Sequence, residues 1–313
     1  MKHESYFFNK LPQIAQKIAL QRIESEEDLN WVNNLDQTVY ALAQKWELTL
    51  GEVLKGGTAS LILEATGKDG KQAVLKIALP GNSIYTEALV LNATNGNGYV
   101  SLYDVDFEWE AMLLEKLGAP LSGTLKTIDE HIVILCETLK KSWVKPHLLN
   151  LPTAIHKALE MKEIIQEKWK GLNQPFSQKS LDLAMEYVEL RTNAFDLDNC
   201  VLTHGDAHGF NILETHDGTY KFVDPDGVIA EKAYDLICIM RDWSDDLLSG
   251  NPLEELRKRC SWLAELTGAD EDAIWQWGYL GRLVIGLTLL ELGKEKEGRK
   301  TLKVSDEISR QLL

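Results

Sequence analysis

The feature that most restricts this chain is a change of hydrophobic period about a third of the way along it. Between residues 48 and 114 the apolar residues fall in short strand-like runs; beyond that point their spacing is almost wholly helical. Leu48 to Lys55, Ala59 to Ala65 and Gln72 to Ala78 are expected as three strands. Gly56-Gly57-Thr58 joins the first two and Gly67-Lys68-Asp69-Gly70 the last two. A helix capped by Asn82 or Ser83 should run to about Ala93. Two more strands, Tyr99 to Tyr103 and Trp109 to Leu114, should flank a turn at Asp104-Val105-Asp106. Ahead of this β-β-β-α-β-β unit, Leu29, Val32, Leu35, Val39, Leu42 and Trp46 keep helical spacing.

Downstream, Ile128, Ile132, Leu135, Leu139 and Trp143 mark one face of a helix closed by Pro146. Helices are expected through 153–170 and 178–195, and from Ala233 to the end, with breaks near Gly250-Asn251-Pro252, Gly268 and Gly293. A single strand island lies between Val201 and Val223, with a hairpin turn at His216-Asp217-Gly218. The expected fold class is therefore α+β: a small β-rich lobe over residues 1–117, then a larger, mainly helical lobe over 118–313.

Composition removes several function classes. The 33 Lys and Arg against 48 Asp and Glu leave a formal net charge of −15, which disfavours a nucleic-acid partner. No apolar run reaches the roughly 18 residues of a membrane span, and the first 20 residues lack the apolar segment of a signal peptide. Cys136, Cys200, Cys238 and Cys260 are scattered without a C-x-x-C pair, as expected of reduced thiols in a cytoplasmic protein. Nothing in the sequence sets an oligomeric state.

The densest polar cluster is His204-Gly205-Asp206-Ala207-His208-Gly209-Phe210-Asn211, followed by Phe222-Val223-Asp224-Pro225-Asp226-Gly227. Phosphoryl transfer requires little covalent help from a protein. It requires a base to orient an acceptor hydroxyl and oxygen ligands for the Mg²⁺ ions that bridge nucleotide phosphates. An Asp-x-x-x-x-Asn loop followed by a hairpin ending in Asp supplies these parts: Asp206 as base, Asn211 and Asp224 as metal ligands. Lys76, inside the apolar strand Ala73-Val74-Leu75-Lys76-Ile77, needs an anionic partner there. Glu87, in the next expected helix, can supply it, with Glu47, Glu52 and Glu64 as alternatives; Lys76 would then reach the nucleotide phosphates.

These residues, with Gly56-Gly57-Thr58-Ala59-Ser60, Leu113-Leu114-Glu115-Lys116-Leu117 and Ala233-Tyr234-Asp235-Leu236, resemble the aminoglycoside phosphotransferase family. Within it, the chain looks like the branch of streptomycin 6-kinases and hydroxyurea phosphotransferases. The resemblance implies a bilobal protein-kinase-like fold and an ATP-dependent (or GTP-dependent) small-molecule kinase. It places the adenine against the backbone near Glu115 and Leu117, assigns Gly57 and Thr58 to the nucleotide, and makes His204 and Asp235 supports of the catalytic loop. The glycine loop is not G-x-G-x-x-G, so the phosphate-loop contacts of protein kinases do not carry over. Ala207 stands where relatives usually have Leu. Asp226 stands where protein kinases have the Phe of D-F-G, and no activation loop or A-P-E element is present, which disfavours a protein substrate.

The acceptor class follows from charge. Residues 196–246 carry twelve acidic and three basic side chains, which favours a cationic small molecule. Asp226, Asp242, Asp245 and Asp246 are the candidates to bind its guanidinium or ammonium groups. His208 has no assigned role. Two other readings stay open at this level: a nucleotide-binding pseudokinase acting as an interaction module, and a metal-dependent hydrolase using His204, Asp206 and His208.

Overall fold

Alternation along the second and third strands puts Leu61, Leu63 and Ala65 on one sheet face with Ala73, Leu75 and Ile77, all almost fully buried. The computed structural model describes residues 5–23, 26–55, 59–146 and 150–312. It divides into two compact units, Met1–Gly118 and Ala119–Leu313.

In the first unit, α1 (Tyr6–Lys10), α2 (Gln13–Gln21) and α3 (Glu26–Lys45) precede an antiparallel sheet. Its strands are β1 (Leu48–Val53), β2 (Ser60–Gly67), β3 (Gln72–Ala78), β4 (Leu102–Asp106) and β5 (Ala111–Glu115), in the spatial order β1-β2-β3-β5-β4. Helix α4 (Tyr85–Thr94) connects β3 to β4. Val32, Leu35, Val39 and Leu42 form the apolar stripe of α3 and share one core with Phe7, Phe8, Leu61, Leu63, Leu75 and Ile77. Lys76 alternates away from Leu75 and Ile77, in register with Ile62 and Met112.

Two local details differ from the sequence expectation. The turn between β4 and β5 spans 107–110 rather than 104–106, because the Asp106 carboxylate accepts the Glu108 and Trp109 N–H groups and so ends the strand. Helix α4 begins at N-cap Ile84 rather than at Asn82 or Ser83. The Ile84 N–H donates to Glu110 Oε2 at 2.8 Å, and Ser83 Oγ accepts from the Tyr85 N–H at 3.1 Å.

The second unit opens with α5 (Ile128–Ser142), started by a reciprocal capping box between Thr127 and Glu130. Next come α6 (Ala154–Gly171), α7 (Gln178–Asn193) and four short strands: β6 (Val201–Thr203), β7 (Ile212–Glu214), β8 (Tyr220–Phe222) and β9 (Val228–Ala230). β7 and β8 form the expected hairpin, but β6 pairs with β9, so the strand island extends past Val223 to Ala230. A 3-10 turn, Lys232–Leu236, leads into α8 (Ile237–Arg241), α9 (Ser244–Ser249), α10 (Pro252–Thr267), α11 (Glu271–Glu291) and α12 (Glu295–Gln311). Helix α11 is buried on nearly every side, and α6, α7, α8, α10 and α12 pack around it. Among the described residues no helix is long and apolar enough to cross a membrane.

Candidate active site

In the first unit, Lys76 Nζ lies 2.6 Å from Glu87 Oε2, and both side chains are buried. Glu87 sits in the first turn of α4, where the helix dipole favours a carboxylate. Two of the rival acids are engaged elsewhere, Glu47 with Lys68 at 3.0 Å and Glu64 with Lys116 at 2.7 Å. The Glu115 carboxylate accepts from the N–H and Oγ of Ser101, tying the end of β5 to the approach to β4. Leu117, half-buried just beyond β5, makes no backbone hydrogen bond to another described residue. Gly57 and Thr58 lie outside the described residues.

In the second unit the segment 204–211 is bound at several points. The Asp235 carboxylate, fully buried, accepts from the N–H of His204 at 3.0 Å, the N–H of Gly205 at 2.8 Å and the Trp143 indole N–H at 2.8 Å. Burial pushes its pKa up to about 6, against the lowering effect of these three donors. His204 Nδ1 accepts the Asp206 N–H at 3.1 Å, so the hydrogen bond from Nε2 to the Val223 carbonyl at 2.9 Å makes it the Nε2–H tautomer. Burial holds this ring neutral, with its pKa lowered to about 4. Gly205 has φ +90°, and a Cβ there would stand 2.9 Å from Asp226 Cβ, so the chain turns at this point only with glycine.

These contacts present Asp206. Its Oδ2 is 3.2 Å from His208 Nε2 and its Oδ1 accepts from the Arg241 guanidinium at 3.1 Å. Burial acts to raise the Asp206 pKa, but the hydrogen bond from His208 and the charge of Arg241 outweigh it and hold the carboxyl well below the usual range. Asn211 Nδ2 donates to the Asp206 carbonyl at 3.1 Å, while the Asn211 carbonyl accepts from the Val223 N–H at 2.9 Å. That hairpin contact puts Asp224, which has φ +55°, directly after the residue opposite Asn211. Asn211 and Asp224 offer oxygen donors of the hard kind that Mg²⁺ takes, few enough for an ion that keeps waters and phosphate oxygens in its shell.

The metal-dependent hydrolase reading does not survive this geometry. Both ring nitrogens of His204 are used inside the protein, and His208 points Nε2 at Asp206 and takes the Phe210 N–H on Nδ1. Among the described residues no group of three or more His, Cys, Asp or Glu side chains is arranged to hold a metal.

Residues 45–284 match the family described as aminoglycoside/hydroxyurea antibiotic resistance kinase. The chain belongs to this family. It is thus an ATP-dependent small-molecule kinase, a phosphotransferase with an alcohol group as acceptor. It is 29% identical over 283 residues to a streptomycin 6-kinase of Streptomyces glaucescens, covering 88% of this chain and 90% of that one. To a streptomycin 6-kinase of Streptomyces griseus it is 26% identical over 259 residues, covering 82% and 83%. Its fold is that of the choline kinase of Cryptosporidium parvum, with a TM-score of 0.61 at 12% identity over 88% of this chain and 96% of that one.

For a kinase of this family, the four acidic acceptor candidates separate in the structure. Asp226, exposed, and Asp242, half-buried, lie in the electrostatic field of Asp206, and partial loss of water raises the pKa of each. Asp245 pairs instead with Lys300, and Asp246 lies 3.7 Å from Arg259. Ala207 is fully buried, so the position packs rather than reacts. Two contacts on Asp206, from His208 and Arg241, escaped the sequence reading. The available signal for Arg241 was a lone cation ending the apolar run Ile237 to Met240, which calls for an anion nearby.

Proposed function

We propose that this kinase phosphorylates a hydroxyl of a cationic aminocyclitol of the streptomycin class, with Asp206 as the base. The acceptor oxygen attacks the γ-phosphorus of ATP, the bond from that phosphorus to the β,γ-bridging oxygen breaks, ADP leaves, and the hydroxyl proton passes to an Asp206 oxygen. Lys76, steadied by Glu87, holds the nucleotide phosphates, and the backbone near Glu115 and Leu117 meets the base. Asn211 and Asp224 would hold Mg²⁺, which neutralises phosphate charge when bound.

The observation that carries this reading is the posture of Asp206, offered by a loop that Asp235 and His204 clamp from beneath. A carboxylate held at low pKa is a weak base. That suits a loose transition state, in which the hydroxyl is mainly oriented and its proton is lost late. The names of the relatives and the surplus of acidic side chains in residues 196–246 support a cationic acceptor.

The test is ADP release by the purified protein with Mg-ATP and streptomycin, compared with Asp206→Ala. The variant should keep Mg-ATP binding by calorimetry and lose transfer. Turnover at the wild-type rate in that variant would remove Asp206 from the chemistry. Absence of turnover with streptomycin, alongside turnover with another amino sugar, would move the acceptor but keep the mechanism.

A further inference from the structure

Arg241 is the one arginine in contact with the proposed base among the described residues, and the fold invests heavily in its placement. It is the last residue of α8, a helix of five residues that could not hold its shape alone. That helix lies directly on α11. A Cβ on Gly278 would stand 2.5 Å from Met240 Cβ, and one on Gly281 would stand 2.2 Å from Ile237 Cγ2. Two further buried arginines then bind its end. Arg259, from α10, donates to the carbonyls of Ile239 at 3.2 Å and Asp242 at 3.4 Å. Arg282, from α11, donates to the Met240 carbonyl and to Ser244 Oγ at 3.0 Å. Trp243, next along, takes the left-handed conformation with φ +59°, an uncommon state for a bulky residue.

From this fixed base the Arg241 side chain, four-fifths buried, reaches between two carboxylates: Asp206 Oδ1 at 3.1 Å and Asp242 Oδ1 at 3.7 Å. A carboxylate anchored at one oxygen turns about its χ2 bond. Asp206 is anchored at both, His208 on Oδ2 and Arg241 on Oδ1, so its orientation is set.

We propose that Arg241 is a positioning residue of the phosphotransfer, fixing the Asp206 carboxylate in the orientation that receives the acceptor hydroxyl. The inference rests on Asp206 being the base. A misplacement of about 1 Å in a reacting group lowers rate by roughly 10²-fold, and Arg241 acts on that placement rather than on substrate binding.

Arg241→Gln should therefore lower kcat by about 10- to 100-fold with KM for ATP and for streptomycin little changed. Arg241→Lys, which keeps the charge but not the planar fork, should recover part of that loss. Because Arg241→Gln leaves two carboxylates near one another, kcat is referred to the fraction of protein that binds Mg-ATP by calorimetry. A role limited to folding would lower that fraction and leave kcat per binding site at the wild-type value. That result would overturn the proposal. So would an Arg241→Lys variant no better than Arg241→Gln. Should Asp206→Ala keep its turnover, the underlying mechanism fails and the proposal with it. If Asp206→Ala is inactive and Arg241→Gln is fully active per site, only the proposal fails.

Discussion

His204 and Asp235 touch through the His204 N–H, and burial perturbs them in opposite senses, which yields a quantitative expectation about acid. His204 is held neutral, its pKa lowered by burial from 6.5 to about 4. The stability it contributes is fully present above pH 6.5 and is lost as pH falls towards 4, a difference of about 3 kcal/mol at 1.36 kcal/mol per pKa unit. Asp235 is raised from 3.8 to about 6, again by burial. Its stabilising form is the protonated one, fully present below pH 3.8 and lost as pH rises through 6, also about 3 kcal/mol. Over the window from pH 6.5 to 4 the two contributions nearly cancel in the native protein. Single substitutions should unmask them. Relative to wild type, His204→Gln should gain about 3 kcal/mol as pH falls through that window, because only Asp235 still titrates. Asp235→Asn should lose about as much. Groups common to the three proteins drop out of the differences. Chemical denaturation at pH 7, 6, 5 and 4 measures them, and melting temperatures should diverge by roughly 6–12 °C for a unit of this size. Differences that are flat with pH, or of the same sign in both variants, would refute the assignment of a neutral buried histidine beside an acid strained by burial.

Two other perturbations follow from the same geometry. Gly281→Ala places a methyl group against Ile237 and should lower stability by about 1–3 kcal/mol in calorimetry, with a loss of kcat beyond that expected from unfolding because α8 carries Arg241. Asp226→Asn should raise KM for a cationic acceptor several-fold while leaving KM for ATP alone, and unchanged steady-state kinetics would take Asp226 out of acceptor binding.

The parts of this structure that were legible in the sequence are those whose cause is local. Alternation in Leu61 to Ala65 and Ala73 to Ile77 declares a two-faced sheet, and Asp206, Asn211 and Asp224 lie within one loop and hairpin. The illegible parts are pairings across long separations. Strand β9 is three residues long, too short to show a period, and its partner β6 lies far back in the chain. The cap of α4 comes from Glu110, 26 residues beyond it, and the anchor of Asp206 from Arg241, 35 residues on.

The same blindness distorts the charge argument. Counting along residues 196–246 gives twelve acids against three bases, which reads as a strong field for a cationic acceptor. In space much of that charge is answered by cations from elsewhere: Glu231 by Arg191, Asp246 by Arg259 and Asp245 by Lys300. Asp206 is answered from within the segment by Arg241. Asp226, exposed near Asp206, makes no ion pair among the described residues, and partial loss of water together with the Asp206 charge raises its pKa. A carboxylate in that condition would gain from an incoming cation, because the cation offsets the repulsion from Asp206. On the proposed reading, the attraction for a guanidinium or ammonium acceptor would concentrate at Asp226 near Asp206, rather than spread over the acidic run at Asp245 and Asp246.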